Sequence, residues 1–227
     1  MGRAKEIMVK VIPSKIANDF VKKHHYSGKI VPNSQLHFGC FLDGGLHGVM
    51  SYGPSTDKSK IIPLVKNTGW NEFIELNRMA FDEYLPKNSE SRCIAYSIKL
   101  IKKNAPQIKW IISFADGCQC GDGTIYRASN FQLTGIKENT GMRIDENGKV
   151  YSQVTFSAHR PNEIEKFKKM KKLKGFQLRY IYFIDKLKEK DLTVPILPFS
   201  KIDELNAGMY KGEKITRAER HNKIDNK

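Results

Sequence analysis

The order of short apolar segments along the first half of the chain constrains the fold more than any other feature of the sequence. Leu36–Leu42 and Leu46–Tyr52 are two such segments, and Asp43-Gly44-Gly45 joins them. Because an Asp-Gly pair between apolar segments favours a tight turn, we expect a β-hairpin here. The next segment, Glu72–Phe81, mixes apolar and polar residues and predicts a third strand.

The segments that follow alternate between helix and strand. Glu90–Asn104 carries apolar residues at helical spacing, with Ser89 or Ser91 as the expected N-cap. Trp110–Phe114 is short and wholly apolar, which is typical of a buried central strand, and Thr124–Phe131 predicts a second helix. The order hairpin, strand, helix, strand, helix predicts an α/β fold, with one mixed sheet and at least one parallel β-α-β crossover.

Further elements are predicted on either side of this region. Ser14–His25 predicts a short amphipathic helix, and Tyr151–Ala158 and Phe176–Asp185 predict strands. Val194–Pro198 is expected to be extended because two prolines exclude a helix, and the tail from about Gly208 is polar. We find no internal repeat and no linker long enough to separate two large domains.

The charge of the chain points to a polyanionic partner. Lys and Arg number 39 against 24 Asp and Glu, which gives a net charge of +15. Residues 1–150 contribute +7 (21 basic, 14 acidic) and the last 77 residues contribute +8 (18 basic, 10 acidic). We therefore expect a core over 1–150, a basic extension over 151–207 packed on it, and a flexible tail over 208–227. Such a field favours nucleic acid, although a lysine-rich, solvated surface is the plain alternative.

The cysteines and the hydropathy pattern point to the cytoplasm. The four cysteines are Cys40, Cys93, Cys118 and Cys120, and a disulfide between the last two would be strained. Free thiols in a reducing compartment are therefore expected. The sequence has no apolar stretch of about 18 residues and no signal peptide at its start, so we expect no membrane partner.

Three polar residues stand where the predicted strands end and helices begin. Asp116 follows an apolar strand, where its carboxylate can accept a hydrogen bond from an amine or form an Asx turn. Arg78 would need an anionic partner if it faces inward, or it pairs with Glu75 or Asp82. Ser91 can meet an anion at a helix start, or it is simply the N-cap.

Two further groups of residues have side chains that are suited to proton transfer, base stacking or metal binding. His24, His25 and Tyr26 lie at a helix end, where the rings can shuttle protons or stack on a flipped base, or are ordinary partly buried rings. The segment from Asp116 to Asp122 has metal-competent side chains, but the zinc deaminase signature is absent. A mononuclear site of histidine and carboxylate is left open.

The C-terminal region carries a lysine cluster beside several aromatic residues. Such residues suit contacts with nucleic-acid phosphates, although they also suit a solvated helix. The cluster comprises Lys166, Lys168, Lys169, Lys171, Lys172 and Lys174. No phosphate-binding P-loop or dinucleotide fingerprint occurs, and residues 86–91 lack the glycine-rich loop that holds the pyrophosphate of coenzyme A in acetyltransferases.

Several segments taken together, and in this order, resemble the Mom family of phage DNA adenine modification enzymes. The resemblance spans roughly residues 20–200 and includes residues 179–182 and 194–198. Any one motif is weak, whereas the ordered set is fairly specific. The segments are His24-His25-Tyr26-Ser27-Gly28, Phe38-Gly39, Gly48-Val49-Met50-Ser51-Tyr52-Gly53, Glu75-Leu76-Asn77-Arg78, Asn88-Ser89-Glu90-Ser91, Ser113-Phe114-Ala115-Asp116 and residues 124–131.

This resemblance implies a fold related to the Gcn5-type N-acetyltransferases and transfer of a carbamoylmethyl group to N6 of adenine in DNA, which protects phage DNA from restriction. Ser89, Ser91 and Arg78 would hold the donor. The positions that match the proposed active-site motif are His25, Tyr26, Arg78, Ser91, Asp116 and Tyr126.

The resemblance leaves the donor unknown: acyl-CoA is open, although its pyrophosphate loop is absent. Iron has been suggested for the family, and His25 and Asp116 would be its ligands here. The partner is DNA, as duplex or exposed strand, and a homodimer is left open. The alternatives are an N-acetyltransferase acting on a small amine or protein, and a non-catalytic DNA-binding protein.

Overall fold

The computed structural model describes residues 2–119, 121–210 and 213–214, which form a mixed α/β structure. The helices are α1 Ser14–His24, α2 Lys58–Ile61, α3 Ser89–Asn104, α4 Thr124–Ala128, α5 Gln153–His159, α6 Ile164–Lys169 and α7 Ser200–Glu204. The strands are β1 Met8–Val11, β2 Leu36–Leu42, β3 Gly45–Gly53, β4 Phe73–Phe81, β5 Trp110–Asp116, β6 Gln132–Glu138, β7 Met142–Ile144, β8 Val150–Ser152, β9 Lys171–Lys172, β10 Phe176–Phe183, β11 Met209–Tyr210 and β12 Glu213–Lys214. No described helix is long and apolar enough to cross a bilayer.

The chain forms two compact units, each assembled from separate stretches. The first comprises Met1–Phe114, Thr124–Gly135 and Arg179–Leu197. The second comprises Ala115–Gly123, Ile136–Leu178 and Pro198–Lys227. The predicted extension over 151–207 therefore contributes residues to both units. Most of the tail predicted over 208–227 lies outside the described residues.

A seven-stranded sheet organises the first unit, in the order β1-β2-β3-β4-β5-β10-β6. Strands β1 to β4 are antiparallel neighbours, whereas β4 and β5 are parallel. Because α3 connects β4 to β5, the predicted parallel β-α-β crossover is confirmed. Pairing between β4 and β5 runs only from Phe73–Trp110 to Glu75–Ile112, whereas β4 stays paired with β3 as far as Phe81.

Helix α1 covers one face of the antiparallel part of the sheet. Its buried residues Ala17 and Val21 pack against Val49 of β3 and Ala80 of β4. Val49 and Ala80 are cross-strand partners and so point to the same side. The predicted helix Ser14–His25 is confirmed, and it ends one residue earlier than expected.

Helix α3 covers the opposite face. Tyr52 of β3 is fully buried, and its hydroxyl lies 2.6 Å from the Ser97 hydroxyl of α3. Cys40 of β2 and Cys93 of α3 form a hydrogen-bonded pair of buried free thiols, and burial with that contact raises the pKa of Cys40. Cys118 is also buried, whereas Cys120 lies outside the described residues.

The start of α3 differs from the prediction that Ser89 or Ser91 caps it. The N-cap is Asn88, which adopts a left-handed backbone conformation with φ of 68° and makes no side-chain capping bond. Ser89 is already the first helical residue, and its hydroxyl donates to the Pro86 carbonyl oxygen. Since asparagine tolerates positive φ better than most residues, the helix begins one residue earlier than the serine pattern indicates.

The predicted strand Tyr151–Ala158 is confirmed only for Tyr151 and Ser152, which belong to β8, and is wrong beyond them because α5 begins at Gln153. Val154 is 77% exposed while Phe156 is 3% exposed, although a strand would place both on one face. In the second unit, Phe156 instead packs on Phe167 of α6, with ring centroids 5.1 Å apart. The other predicted strand, Phe176–Asp185, is confirmed as β10.

The helix predicted over Thr124–Phe131 is present but shorter. It ends in a Schellman motif, in which Asn130 has a φ of 62° and its N–H donates to the Arg127 carbonyl oxygen. The next N–H, of Phe131, donates to the Tyr126 carbonyl oxygen over 3.0 Å. The left-handed Asn130 thus stops α4 before the apolar Phe131.

Trp110 fills the apolar cluster between β4, β5 and β10, and its loss should be costly. It is fully buried and stacks on Phe73 with ring centroids 4.6 Å apart. We expect Trp110→Ala to lower the free energy of unfolding by about 3–5 kcal/mol in urea titrations. Trp70→Ala is the control, since Trp70 is 62% exposed and should cost under about 1 kcal/mol. Equal losses from both variants would contradict this account of the core.

Candidate active site

A row of polar side chains crosses the α1 face of the sheet. His37 of β2 pairs with Ser51 of β3, which pairs with Arg78 of β4, so all three point to the same side. His37 and Ser51 are buried, and a 2.8 Å hydrogen bond joins His37 Nδ1 to Ser51 Oγ. Buried polar groups are unusual on an otherwise apolar sheet face, which makes this row the candidate site.

A β-bulge in β4 adds a carboxyl group to the row. Ser51 pairs with Arg78, but the register then shifts, so that Gly53 pairs with Glu75. Residues three apart in a regular strand point to opposite faces. Ser51 and Gly53 lie on one face of β3, and residues that pair across strands lie on the same face of the sheet. The bulge at Asn77 therefore brings Glu75 onto the same face as Arg78. Bulges of this kind are common beside active sites.

The loop that follows α1 lies over the row and is held there by hydrogen bonds. Arg78 Nε donates to the Lys29 carbonyl oxygen over 3.0 Å, and Ser34 Oγ donates to Asn77 Oδ1 over 3.0 Å. The loop approaches Gly53 so closely that a Cβ there would lie 2.6 Å from the Asn33 carbonyl oxygen. Glycine at position 53 therefore permits this packing.

His25 and Tyr26 begin this loop. His25 Nδ1 accepts a hydrogen bond from the Ser27 N–H over 3.2 Å and lies 2.8 Å from Ser27 Oγ, so the ring proton of the neutral form is on Nε2. Burial, together with the positive charge of Arg78, lowers the pKa of His25 to about 4. The Tyr26 ring packs against His25 with centroids 4.2 Å apart and is 51% exposed.

Sequence reasoning missed three residues of the row as site residues, namely Ser51, Glu75 and His37. Burial raises the pKa of Glu75, and this outweighs the opposing effects of Ser55, Asn77 and Arg78. Burial lowers the pKa of His37, whose Nε2 makes no hydrogen bond within the described part of the chain. The one sequence signal that marked Glu75 as a site residue was its occurrence within an apolar strand pattern. The position of His37 in the row becomes evident only from the pairing of β2 with β3.

The structure brings His25, Tyr26 and Arg78 together, and it places the other candidates of the first unit elsewhere. Ser89 and Ser91 belong to the first turn of α3, where Ser91 Oγ donates to the Asn88 carbonyl oxygen over 3.3 Å. Tyr126 of α4 is 9% exposed and packs between Phe131 and Tyr180, with ring centroids at 5.5 and 5.2 Å.

Asp116 belongs to the second unit and forms an Asx turn, which is one of the two alternatives that the sequence leaves open for it. Its Oδ1 accepts a hydrogen bond from the Cys118 N–H over 3.0 Å, and its Oδ2 accepts one from Gln119 Nε2 over 2.7 Å. Among residues 2–119, 121–210 and 213–214, no three His, Cys, Asp or Glu side chains are grouped as metal ligands.

The lysine cluster is exposed in the second unit, on α6, on β9 and just beyond it. Lys166 and Lys168 form ion pairs with Glu163 and Glu165 one helical turn away, with N–O distances of 4.0 and 2.6 Å. Lys172 lies 4.0 Å from Glu138. The remaining members make no ion pair within the described residues, and they are Lys169, Lys171 and Lys174.

Comparison with solved structures identifies the class of fold. The structure of Arabidopsis thaliana NAA60 in complex with a bisubstrate analogue matches with a TM-score of 0.50 and 9% identity, over 78% of this chain and 97% of that chain. A GNAT family acetyltransferase from Elizabethkingia anophelis with acetyl-CoA bound matches with a TM-score of 0.47 and 13% identity, over 78% and 97%. At such identities the likeness concerns the fold alone. The predicted acetyltransferase-like α/β class is confirmed.

Comparison of sequences then gives the family. The model of the Mom protein family matches residues 6–201. Methylcarbamoylase mom of Escherichia phage Mu is 34% identical over 200 residues, which cover 85% of this chain and 82% of that protein. The chain therefore belongs to the Mom protein family. The predicted resemblance is confirmed, and membership supports the coarser functional expectation of a modification enzyme.

The environment of His25 gives a test of the site geometry. Its Cε1–H resonance in NMR titrations should move near pH 4, because burial and Arg78 disfavour the charged form. The contribution of His25 to the free energy of unfolding therefore decreases as the pH falls from 6.5 to about 4. Within this range the unfolded chain binds the proton and the folded chain does not. Arg78→Met should raise the pKa of His25 while burial keeps it below 6.5.

The control for this titration is Arg127→Met, which removes an exposed arginine of α4 and should leave the pKa of His25 unchanged. A wild-type His25 that titrates near 6.5 would show that the loop does not bury this ring as described.

Proposed function

We propose that this protein transfers a carbamoylmethyl group to the exocyclic N6 of adenine in DNA, and so protects phage DNA from restriction in the cytoplasm of the host cell. The observation that carries the proposal is the relationship to the phage Mu methylcarbamoylase over 85% of the chain. The polar row on the α1 face supports it, because it supplies a cation, a carboxyl group and neutral imidazoles in one place.

N6 of adenine is a difficult nucleophile, because its lone pair is delocalised into the ring and the base is paired in a duplex. The enzyme must extrude the base, at a cost of a few kcal/mol, or act on exposed strands. The half-exposed ring of Tyr26, supported from behind by His25, is suited to stack on an extruded base. Tyr126 is buried against Phe131 and Tyr180, so we assign it a packing role in the core rather than direct stacking.

For the donor we assign one part to Arg78 on the α1 face of the sheet and another part to Ser89 and Ser91 of α3, which covers the opposite face. Arg78 can bind a carbonyl or anionic part of the donor while its Nε holds the Lys29 carbonyl oxygen. The two serines lie in the first turn of α3, where backbone N–H groups favour anions. An acyl-CoA donor is in keeping with the acetyltransferase-like fold, although residues 86–91 lack the glycine-rich pyrophosphate loop.

Iron does not fit the residues suggested for it. A metal binds the unprotonated nitrogen of a neutral imidazole, and in His25 that nitrogen is Nδ1, which already accepts a hydrogen bond from Ser27. Both oxygens of Asp116 accept hydrogen bonds from its own turn. We therefore derive no step through iron and assign Asp116 a hydrogen bond to the N6–H group.

The direct test is mass spectrometry of nucleosides from plasmid DNA of cells that express this protein. We expect a deoxyadenosine species heavier by a carbamoylmethyl group. Asp116→Asn keeps the Oδ1 acceptor of the Asx turn and removes the charge, so modification should fall at least about a hundredfold while DNA affinity stays within about twofold.

The matched control is Asp145→Asn, which changes an Asx-type turn elsewhere in the second unit and should leave modification intact. Unmodified DNA from cells with soluble wild-type protein would contradict the proposal. Acetyl-CoA binding without DNA affinity would then favour an acetyltransferase, and salt-dependent DNA binding without modified bases would favour a binding protein.

The lysine cluster gives a second test, because its members differ in their partners. Replacing Lys169 and Lys171 by alanine removes two charges that have no ion-pair partner in the described structure, so the slope of log K against log salt should fall by up to about 1.8. Replacing Lys166 and Lys168 removes charges that Glu163 and Glu165 partly neutralise, so the slope should fall less. The slope is measured by DNA titration at several salt concentrations, and an unchanged slope after replacement of Lys169 and Lys171 would contradict a contact role for this cluster.

A further inference from the structure

Glu75 has no role in the proposal above, although its position is unusual for a carboxyl group. It occupies the last position at which β4 pairs with β5, opposite Ile112. The bulge at Asn77 turns it onto the face that carries Arg78, beneath the loop that begins with His25. It is neither fully buried nor fully exposed, so a ligand in the polar row can reach it.

The surroundings of Glu75 suit a group that gains and loses a proton. Phe73 and Ile112 beside it are buried and apolar, and this burial raises the pKa of the carboxyl group. Arg78 nearby favours the charged form and so opposes part of the effect of burial. A carboxylate with a raised pKa is a better general base than an ordinary surface one.

We propose that Glu75 accepts the proton that leaves N6 of adenine during group transfer; this inference rests on the function proposed above. The donor is a molecule whose carbamoylmethyl carbon is bound to a leaving group. The N6–carbon bond forms as the bond to the leaving group breaks, and the leaving group keeps the electron pair. The N6 proton passes to the Glu75 carboxylate, which later releases it to water.

Asp116 suits this step less well. Each Asp116 oxygen already accepts a hydrogen bond from its own turn. Such a carboxylate is suited to accept a hydrogen bond from the N6–H group rather than to remove the N6 proton. His25 is neutral near pH 7, but its acceptor nitrogen is occupied by Ser27. Glu75 also has a side-chain hydrogen bond with Asn77, but it is the carboxyl group that the bulge places on the same face as Arg78, below the loop that begins with His25, and we therefore assign the proton to it.

The test compares Glu75→Gln and Glu75→Asp by nucleoside mass spectrometry of plasmid DNA from expressing cells. Burial already favours the uncharged form at this position, so glutamine satisfies a purely structural role at least as well as glutamate. We expect E75Q to retain the wild-type thermal midpoint and DNA affinity, and to lose modification by at least about a hundredfold. E75D keeps a carboxyl group and should retain measurable modification.

Glu72→Gln is the matched control, since Glu72 stands three residues earlier and bonds to the Gly69 N–H and to Lys188. It should leave modification unchanged. A folded E75Q that modifies DNA at the wild-type level would overturn the inference, and so would E75D with no product. If E75Q fails to fold, E75D decides the matter alone. Failure of the proposed function is a separate result, because the wild type itself would then give no modified base.

Discussion

The structure depends on one local irregularity, the β-bulge at Asn77. It places Glu75 and Arg78 on the same face of β4, where a regular strand would separate them. A guanidinium and a carboxyl group on an apolar sheet face would be costly without partners. The loop after α1 supplies one for Arg78, whose Nε donates to the Lys29 carbonyl oxygen, and Glu75 has a side-chain hydrogen bond with Asn77. The Ser34 hydroxyl of the loop donates in turn to Asn77 Oδ1. The bulge therefore fixes where the loop lies, and with it the positions of His25 and Tyr26.

Burial then sets the charges at the site. His25 and His37 are both held neutral near pH 7 because desolvation lowers the pKa of each. The groups of the row that can carry a formal charge are Arg78 and Glu75, and Arg78 favours the charged form of Glu75. The first unit thus offers a compact polar site of small net charge, whereas the exposed lysines of the second unit offer the attraction for a polyanion. In the proposed function, recognition of the phosphate backbone and chemistry on the base therefore belong to different residues.

The apolar pattern of the sequence is sufficient to predict the hairpin, the strand Phe73–Phe81 and the β-α-β crossover, because these elements obey simple periodicity. It predicts Arg78 and the His25-Tyr26 pair as candidates, because polar residues interrupt that pattern. It does not reveal the bulge, since one extra residue changes no composition, and so Glu75 was considered only as a partner of Arg78. The strand expected over Tyr151–Ala158 is wrong beyond Ser152 for a related reason. Three apolar residues there fit both the strand period and the helix period, and only their burial in the structure shows which applies.

Hydrogen–deuterium exchange with and without an adenine-containing oligonucleotide tests the central claim most directly, namely that the polar row beneath the loop after α1 is where the base is bound. The account predicts slower exchange over residues 25–34 and over Glu75–Arg78 when DNA is present, together with slower exchange in the lysine-rich residues 164–174. The exposed loop around Trp70, which precedes β4, should not change. Protection confined to residues 164–174, with none in the loop or in β4, would contradict it.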